Sequence, residues 1–300
     1  MNTYPFFICD VFSRERFGGN PLAVLPRAEG LDGTRMQQIA REFNFSETTF
    51  VFPAKQGGDR EVRIFTPARE VPFAGHPNLG TAFVLAESGE LGMTGDGGTV
   101  QFEEAAGTVP VRLERQDDGR LWTELTAPQP LSLGPAVMPE LAAAALSLEV
   151  SDIRMAVHPP RVAGVGLPFL IVELQSREAL GRAVFNEAVM SDLVKKDIPP
   201  DILLYARQSG DFDIRARMFA PIDGVPEDPA TGSANAALAA LLAHCEAEPD
   251  GAFRWRIAQG VEMGRPSILH AAATKRDGRV TQTRIGGYCV MVAEGRLTVD

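Results

Sequence analysis

Two stretches of this chain repeat each other. Arg63-Ile64-Phe65-Thr66-Pro67 is followed by Gly75-His76-Pro77-Asn78-Leu79-Gly80-Thr81-Ala82. Later, Arg217-Met218-Phe219-Ala220-Pro221 is followed by Glu227-Asp228-Pro229-Ala230-Thr231-Gly232-Ser233-Ala234, with a connecting loop two residues shorter. Self-similarity of this kind constrains architecture more than any single motif. Each stretch reads as a strand, a proline, a loop and a proline-initiated helix, so the chain should hold two similar halves, each feeding a buried helix. Aligned on Pro77 and Pro229, His76 and Asp228 share one position, just before a proline in the first turn. A helix start carries unpaired N–H groups and partial positive charge. If the halves face each other, two such starts would meet at one cleft. A carboxylate there would gain roughly 0.3–1 kcal/mol per dipole contact. Asp before Pro is also a good N-cap, worth ~1 kcal/mol, and the two roles are compatible.

Outside the repeat, short apolar runs bounded by Gly, Pro, Asn and Asp read as strands. In the first half these are 5–12, 21–26, 47–52, 61–66, 108–115 and 121–125. In the second they are 169–174, 202–206, 212–219, 253–258, 268–273, 281–285 and 288–293. Helices are expected at 34–43, 78–87, 139–148 and 230–245. Single helices between runs of strands indicate α+β rather than a doubly wound sheet. The Gly-rich stretch 88–98 and the Pro-rich stretch 126–139 are the weakest regions. The second is the expected boundary between a first domain, 1–126, and a second, 127–300.

Composition excludes several classes. A net charge of −10 argues against a nucleic-acid partner, which needs clustered Lys and Arg. No apolar run is long enough for a membrane helix, and no basic-then-apolar leader opens the chain, so the cytoplasm is the expected location. The three cysteines, Cys9, Cys245 and Cys289, have no framework spacing and read as small buried hydrophobes. The histidines at 76, 158, 244 and 270 have no zinc-ligand spacing, so no metal is expected.

Glu47 opens the apolar strand Thr48-Thr49-Phe50-Val51-Phe52, beside Ser46. A carboxylate at the mouth of a buried strand is desolvated, which suits acid/base work. A solvated strand-end Glu is the commoner case, and the residues alone leave both readings open.

Several motifs together resemble the phenazine-biosynthesis PhzF-like family. They are Phe17-Gly18-Gly19-Asn20-Pro21-Leu22-Ala23-Val24, Asn44-Phe45-Ser46-Glu47-Thr48 and Gly75-His76-Pro77-Asn78-Leu79-Gly80. The set continues with Glu227-Asp228-Pro229-Ala230-Thr231-Gly232-Ser233-Ala234 and Gln259-Gly260-Val261-Glu262-Met263-Gly264-Arg265-Pro266-Ser267. Asn78 stands where that family more often has Thr. The resemblance implies a diaminopimelate-epimerase-like fold: two related domains, each a curled mixed β-sheet around a central helix. A strand from 281–300 would cross back to complete the first. It implies Glu47 as catalytic acid/base, with His76 and Asp228 assisting proton movement. Gly75, Ser46, Asn78, Gly232 and Ser233 would bind the substrate. The implied chemistry is cofactor-independent isomerisation of a small carboxylate, similar to that of trans-2,3-dihydro-3-hydroxyanthranilate, in a homodimer.

Two rivals remain at this stage. Racemases of the same fold use two cysteines at the helix starts, where this chain has none. A non-catalytic binding protein would not require Glu47, His76 and Asp228 together. Arg215 and Arg217 read as a solvent-facing strand surface, and Trp122 and Trp255 as core.

Overall fold

The computed structural model describes residues 1–92, 97–221 and 225–300. Parts of the expected loop at 88–98 and of the loop after Pro221 lie outside the described residues. The chain divides into two compact units. Unit 1 comprises Met1–Thr126 and Gly286–Asp300, and unit 2 comprises Ala127–Ile285.

Unit 1 contains strands β1 (Asn2–Val11), β2 (Asn20–Leu25), β3 (Glu47–Pro53), β4 (Arg60–Phe65), β5 (Glu70–Val71), β6 (Gly97–Glu104), β7 (Gly107–Arg115) and β8 (Leu121–Thr126). Helix α1 (Gly33–Phe43) links β2 to β3, and α2 (Gly75–Glu87) lies between β5 and β6. β1–β2, β3–β4, β6–β7 and β7–β8 pair antiparallel, whereas β2–β3 and β4–β6 are parallel. Those parallel pairs need crossovers, which α1 and α2 supply.

Unit 2 contains β9 (Ser132–Ala136), α3 (Pro139–Ala145), β10 (Arg161–Gly164), β11 (Pro168–Glu173), α4 (Arg177–Arg182), α5 (Glu187–Lys195), β12 (Ile202–Arg207) and β13 (Ile214–Ala220). It continues with β14 (Val225–Asp228), α6 (Gly232–Cys245), β15 (Gly251–Gln259) and β16 (Ser267–Arg276), and the long β17 (Arg279–Val299) follows. β10–β11, β12–β13, β13–β14 and β15–β16 pair antiparallel, and β11–β12 and β13–β15 are parallel. The order of pairings is the one seen in unit 1.

The sheet of unit 1 is a closed ring rather than an open curl. β17 pairs antiparallel with β1 from Val299 back to Cys289, with a bulge at Ile8/Cys9, and pairs with β8 on its other side. The expected strands 281–285 and 288–293 are therefore one element, because Gly286-Gly287 does not break it. Closure leaves no sheet edge to protect.

Helix α2 is buried from Gly75 through Leu85 and packs on β1, β2, β3, β7 and β8. Helix α6 is buried at Gly232 and from Ala234 to Ala243, against β10, β11, β15 and β16. Both helices are apolar all round, the signature of a core helix. α1 differs. It buries Met36, Ile39 and Ala40 on one stripe and keeps a polar outer face.

Three expectations need correction. Arg217 is only 8% exposed and bonds Glu227 through Nε and Nη2, both at 2.8 Å. Its Nη1 donates to the carbonyls of Leu180 and Ala183, so the guanidinium is a buried connector and not a solvent face. Trp122 and Trp255 are half-buried, Trp122 sitting edge-on to Tyr288. Cys245, the last residue of α6, is also only half-buried.

Candidate active site

In unit 1 the site begins where α1 ends. Asp32 caps α1 by accepting from the Arg35 N–H at 2.8 Å, and Asn44 stops it in the left-handed conformation, φ 54°. Asn tolerates that conformation better than most residues. The reversal makes Glu47 the first residue of β3, paired in register with Leu22 of β2. Its carboxylate is 18% exposed, and Oε2 lies 3.5 Å from Nε2 of His76.

His76 is the second residue of α2 and is 3% exposed. Asn20 Nδ2 lies 3.3 Å from His76 Nδ1. With the amide nitrogen as donor, Nδ1 accepts, and the ring proton is left on Nε2, facing Glu47. Burial pushes the imidazole down to about 3, so the ring is neutral at physiological pH. Nε2 has no full hydrogen bond, and the approach to Glu47 is a loose one.

Asn20 is brought there by the glycine turn before β2. Gly19 has φ +64°, and a Cβ on it would sit 2.4 Å from the Val11 carbonyl oxygen. Only glycine fits. Ser46 and Gly75 flank the pair in sequence, and Gly75 is the first, buried residue of α2. Asn78 is fully buried and donates through Nδ2 to the Ala74 carbonyl at 2.9 Å.

Unit 2 carries a second group. Asp228 ends β14, is 6% exposed, and accepts from Thr231 Oγ1 at 2.5 Å. Gln259, fully buried at the end of β15, ties the segment together. Its Nε2 donates to the Asp228 carbonyl at 2.8 Å and to Thr231 Oγ1 at 3.2 Å. Its Oε1 accepts from Asn235 Nδ2 at 2.7 Å and from the Thr231 N–H at 3.2 Å. Asn235 Nδ2 also donates to the Thr231 carbonyl at 2.9 Å. Gly232 opens α6, and Ser233 follows it, half-buried.

These helix starts correct the register of the repeat. α2 starts at Gly75, so Pro77 is inside its first turn, whereas α6 starts at Gly232, beyond Pro229. The caps are Ala74 and Thr231. Structurally, Gly75 matches Gly232, His76 matches Ser233 and Asn78 matches Asn235, five residues away from the alignment made on the prolines. Asp228 therefore does not cap α6; it ends the strand before the cap. Both helix starts hold glycine at the first position, and neither cap side chain closes the first turn, whose N–H groups have no intrahelical partner.

The structure thus joins Glu47 to His76 in unit 1, and Asp228 to the start of α6 in unit 2. Asn20, Thr231, Asn235 and Gln259 were not singled out from sequence. The only signal for Asn20, Thr231 and Gln259 was membership of the quoted motifs. A cavity of about 340 Å³ beside the Arg217–Glu227 pair is lined by Phe185, Phe219 and Pro226 among others, and by none of the expected site residues. Among the described residues, no group of His, Cys, Asp and Glu is placed to hold a metal ion, and no helix is long and apolar enough to cross a membrane.

Known proteins resemble this chain in sequence and in fold. The sequence matches the family described as phenazine biosynthesis-like protein over residues 9–295. It is 38% identical over 291 residues to the trans-2,3-dihydro-3-hydroxyanthranilate isomerase of Pseudomonas aeruginosa, covering 97% of this chain and 98% of that one. A Bacillus anthracis phenazine biosynthesis protein of the PhzF family superposes with a TM-score of 0.89 at 26% identity, covering 100% of both chains. A hydroxyproline epimerase of Agrobacterium vitis is similar in fold, with a TM-score of 0.65 at 16% identity, covering 98% of this chain and 92% of that one.

Proposed function

The chain belongs to the family of phenazine biosynthesis-like proteins and is an isomerase, and from that premise we propose that it moves a proton on a small carboxylate of the trans-2,3-dihydro-3-hydroxyanthranilate kind, with Glu47 as the acid/base. The observation that carries this reading is the 3.5 Å approach of Glu47 Oε2 to the neutral His76 ring.

Glu47 would take a proton from one carbon and return it at another. His76 does not compete for that proton, because burial keeps its ring uncharged. Its Nε2–H can instead steady the carboxylate, and such contacts tighten when substrate binds. A positioned acid/base contributes about 10²–10⁴-fold. The unpaired N–H groups at the start of α2, from Gly75 onward, suit the substrate's carboxylate. Asp228, Gly232 and Ser233 are assigned to substrate contact on the family resemblance, supported by their grouping at the start of α6. Ser46 and Asn78 are assigned likewise in unit 1. The matching pairing order supports reading the two units as related domains, each wrapped around its central helix.

A two-thiol racemase finds no support. Cys9 lies under α2 with Sγ 3.9 Å from the Gly80 carbonyl, Cys289 is buried in β17, and neither is at a helix start.

The test is solvent deuterium uptake by NMR. Wild type and Glu47→Gln are incubated in D₂O with trans-2,3-dihydro-3-hydroxyanthranilate. Deuterium incorporation at one carbon, reduced at least ~10²-fold in the variant, is expected. An unimpaired variant would remove Glu47 from the chemistry.

A further inference from the structure

Glu104 is the last residue of β6, the strand that follows α2, as Gln259 is the last residue of β15, the strand that follows α6. Each side chain lies beside the asparagine in the first turns of its helix: Gln259 against Asn235, and Glu104 against Asn78. Gln259 serves its helix with one acceptor and one donor. Its Oε1 takes the asparagine N–H, and its Nε2 donates to the chain leading into the helix. An ionised Glu104 could only accept. Both its oxygens are buried and make no well-formed hydrogen bond, the Asn78 amide being the one donor close by. Asn78 Oδ1 is likewise buried without a donor. A buried carboxylate so short of donors favours holding a proton.

We propose that Glu104 is held as a neutral carboxylic acid that stands in for the glutamine of unit 2, and that it is the positioning residue for the first turn of α2, which carries Gly75 and His76. A carboxylic acid has the layout of an amide: a carbonyl oxygen for Asn78 and an O–H to give away. Asn78 in turn holds the Ala74 carbonyl, one residue before Gly75.

Among the described residues, the charged side chains of the neighbouring strands are engaged with other partners. Burial pushes the Glu104 carboxyl up to about 8, and the Asn78 amide opposes this only in part. On its own strand, Glu103 is turned toward the backbone N–H groups of Lys55, Gln56 and Gly58. On β4, Arg60 bonds the carbonyls of Asp59 and Glu90, and Glu61 pairs with Lys55. On β5, Glu70 is taken by Arg63. On α2, His76 is uncharged. The lead-in Pro72-Phe73-Ala74 has nothing to titrate, and Ala106 donates its N–H to the Pro72 carbonyl, which holds the β6–β7 turn against it.

This inference rests on the reading of Glu47 and His76 as the reacting pair, but half of its test needs no substrate. Thermal melting of wild type, Glu104→Gln and Glu104→Ala is followed between pH ~4.5 and ~8.5. An acid that is protonated in the fold and ionised in the unfolded chain makes stability fall as pH rises through that window. The wild-type melting temperature should therefore fall relative to that of Glu104→Gln, which carries the unit 2 side chain and cannot ionise. Parallel curves would show an ionised Glu104 and overturn the proposal, whatever the substrate proves to be. The second half is turnover of trans-2,3-dihydro-3-hydroxyanthranilate. Glu104→Ala should lower kcat by at least ~10-fold, and Glu104→Gln should restore it to within ~3-fold of wild type. Wild-type turnover in Glu104→Ala, or a Glu104→Gln protein as impaired as Glu104→Ala, would remove the positioning role.

Discussion

Asn78 and Asn235 make the same bond on different helices: each side-chain amide donates to the carbonyl of its helix cap, Ala74 or Thr231, at 2.9 Å. Neither cap uses a side chain of its own to close the helix start. The asparagines therefore hold the lead-in chain, from one turn inside. Asn235→Ala should cost about 1–3 kcal/mol, because it also strips Gln259 Oε1 of its shortest donor. Urea unfolding of the variant reads this as a shifted midpoint at an unchanged slope.

Gly80 sits in the middle of α2, where alanine would ordinarily be the better helix former by ~1 kcal/mol. Here a Cβ would lie 2.6 Å from side-chain atoms of both Leu22 and Val11. Overpacking of this kind costs about 1–3 kcal/mol and outweighs the propensity gain. Gly80→Ala should lower the melting temperature. A rise would mean that α2 can shift away from β1 and β2 at little cost.

His76 should not titrate near neutrality. Its folded value is about 3, below the ordinary imidazole value, so the unfolded chain binds a proton that the fold does not. Stability from this group is complete above pH ~6.5 and is lost as pH falls toward ~3, on the order of 5 kcal/mol in all. The His76 imidazole resonances in a ¹H–¹⁵N spectrum should keep the neutral pattern from pH 8 to 5. A midpoint near 6.5 would contradict the burial argument.

The thiols should be dispensable. Burial raises Cys9 well above its ordinary value and Cys289 to about 12, leaving almost no thiolate at pH 7. Cys245 is also raised, but it is half-buried. Iodoacetamide on the native protein should label Cys245 alone, slowly, and leave turnover unchanged. Loss of turnover on alkylation would reopen the two-thiol mechanism.

Much of this molecule was legible because its signals are local. The short apolar runs at 121–125, 169–174 and 202–206 mark strands that the structure contains. The mostly apolar stretch 78–87 marked a buried helix. Helices α4 and α5 and strand β6 went unread, since they are short or polar and are held by packing rather than by their own pattern. The repeat was visible, but its register was not. The Pro-x-x-Gly match aligned residues of like type. Cap geometry puts Pro77 within a helix and Pro229 before one, and only the backbone path distinguishes them.

By itself, then, the sequence determined which residue types are available for chemistry, which segments are apolar, and that one motif occurs twice. These are properties of composition and short-range order, and they are carried by neighbours in the chain. Tertiary structure alone decided that Asn20 reaches His76, that Glu104 lies beside Asn78, and that β17 closes the ring of unit 1. Each of those relationships joins residues far apart in the chain across a packed helix or a paired strand. The same packing excludes water, and that exclusion sets the protonation of His76 and Glu104.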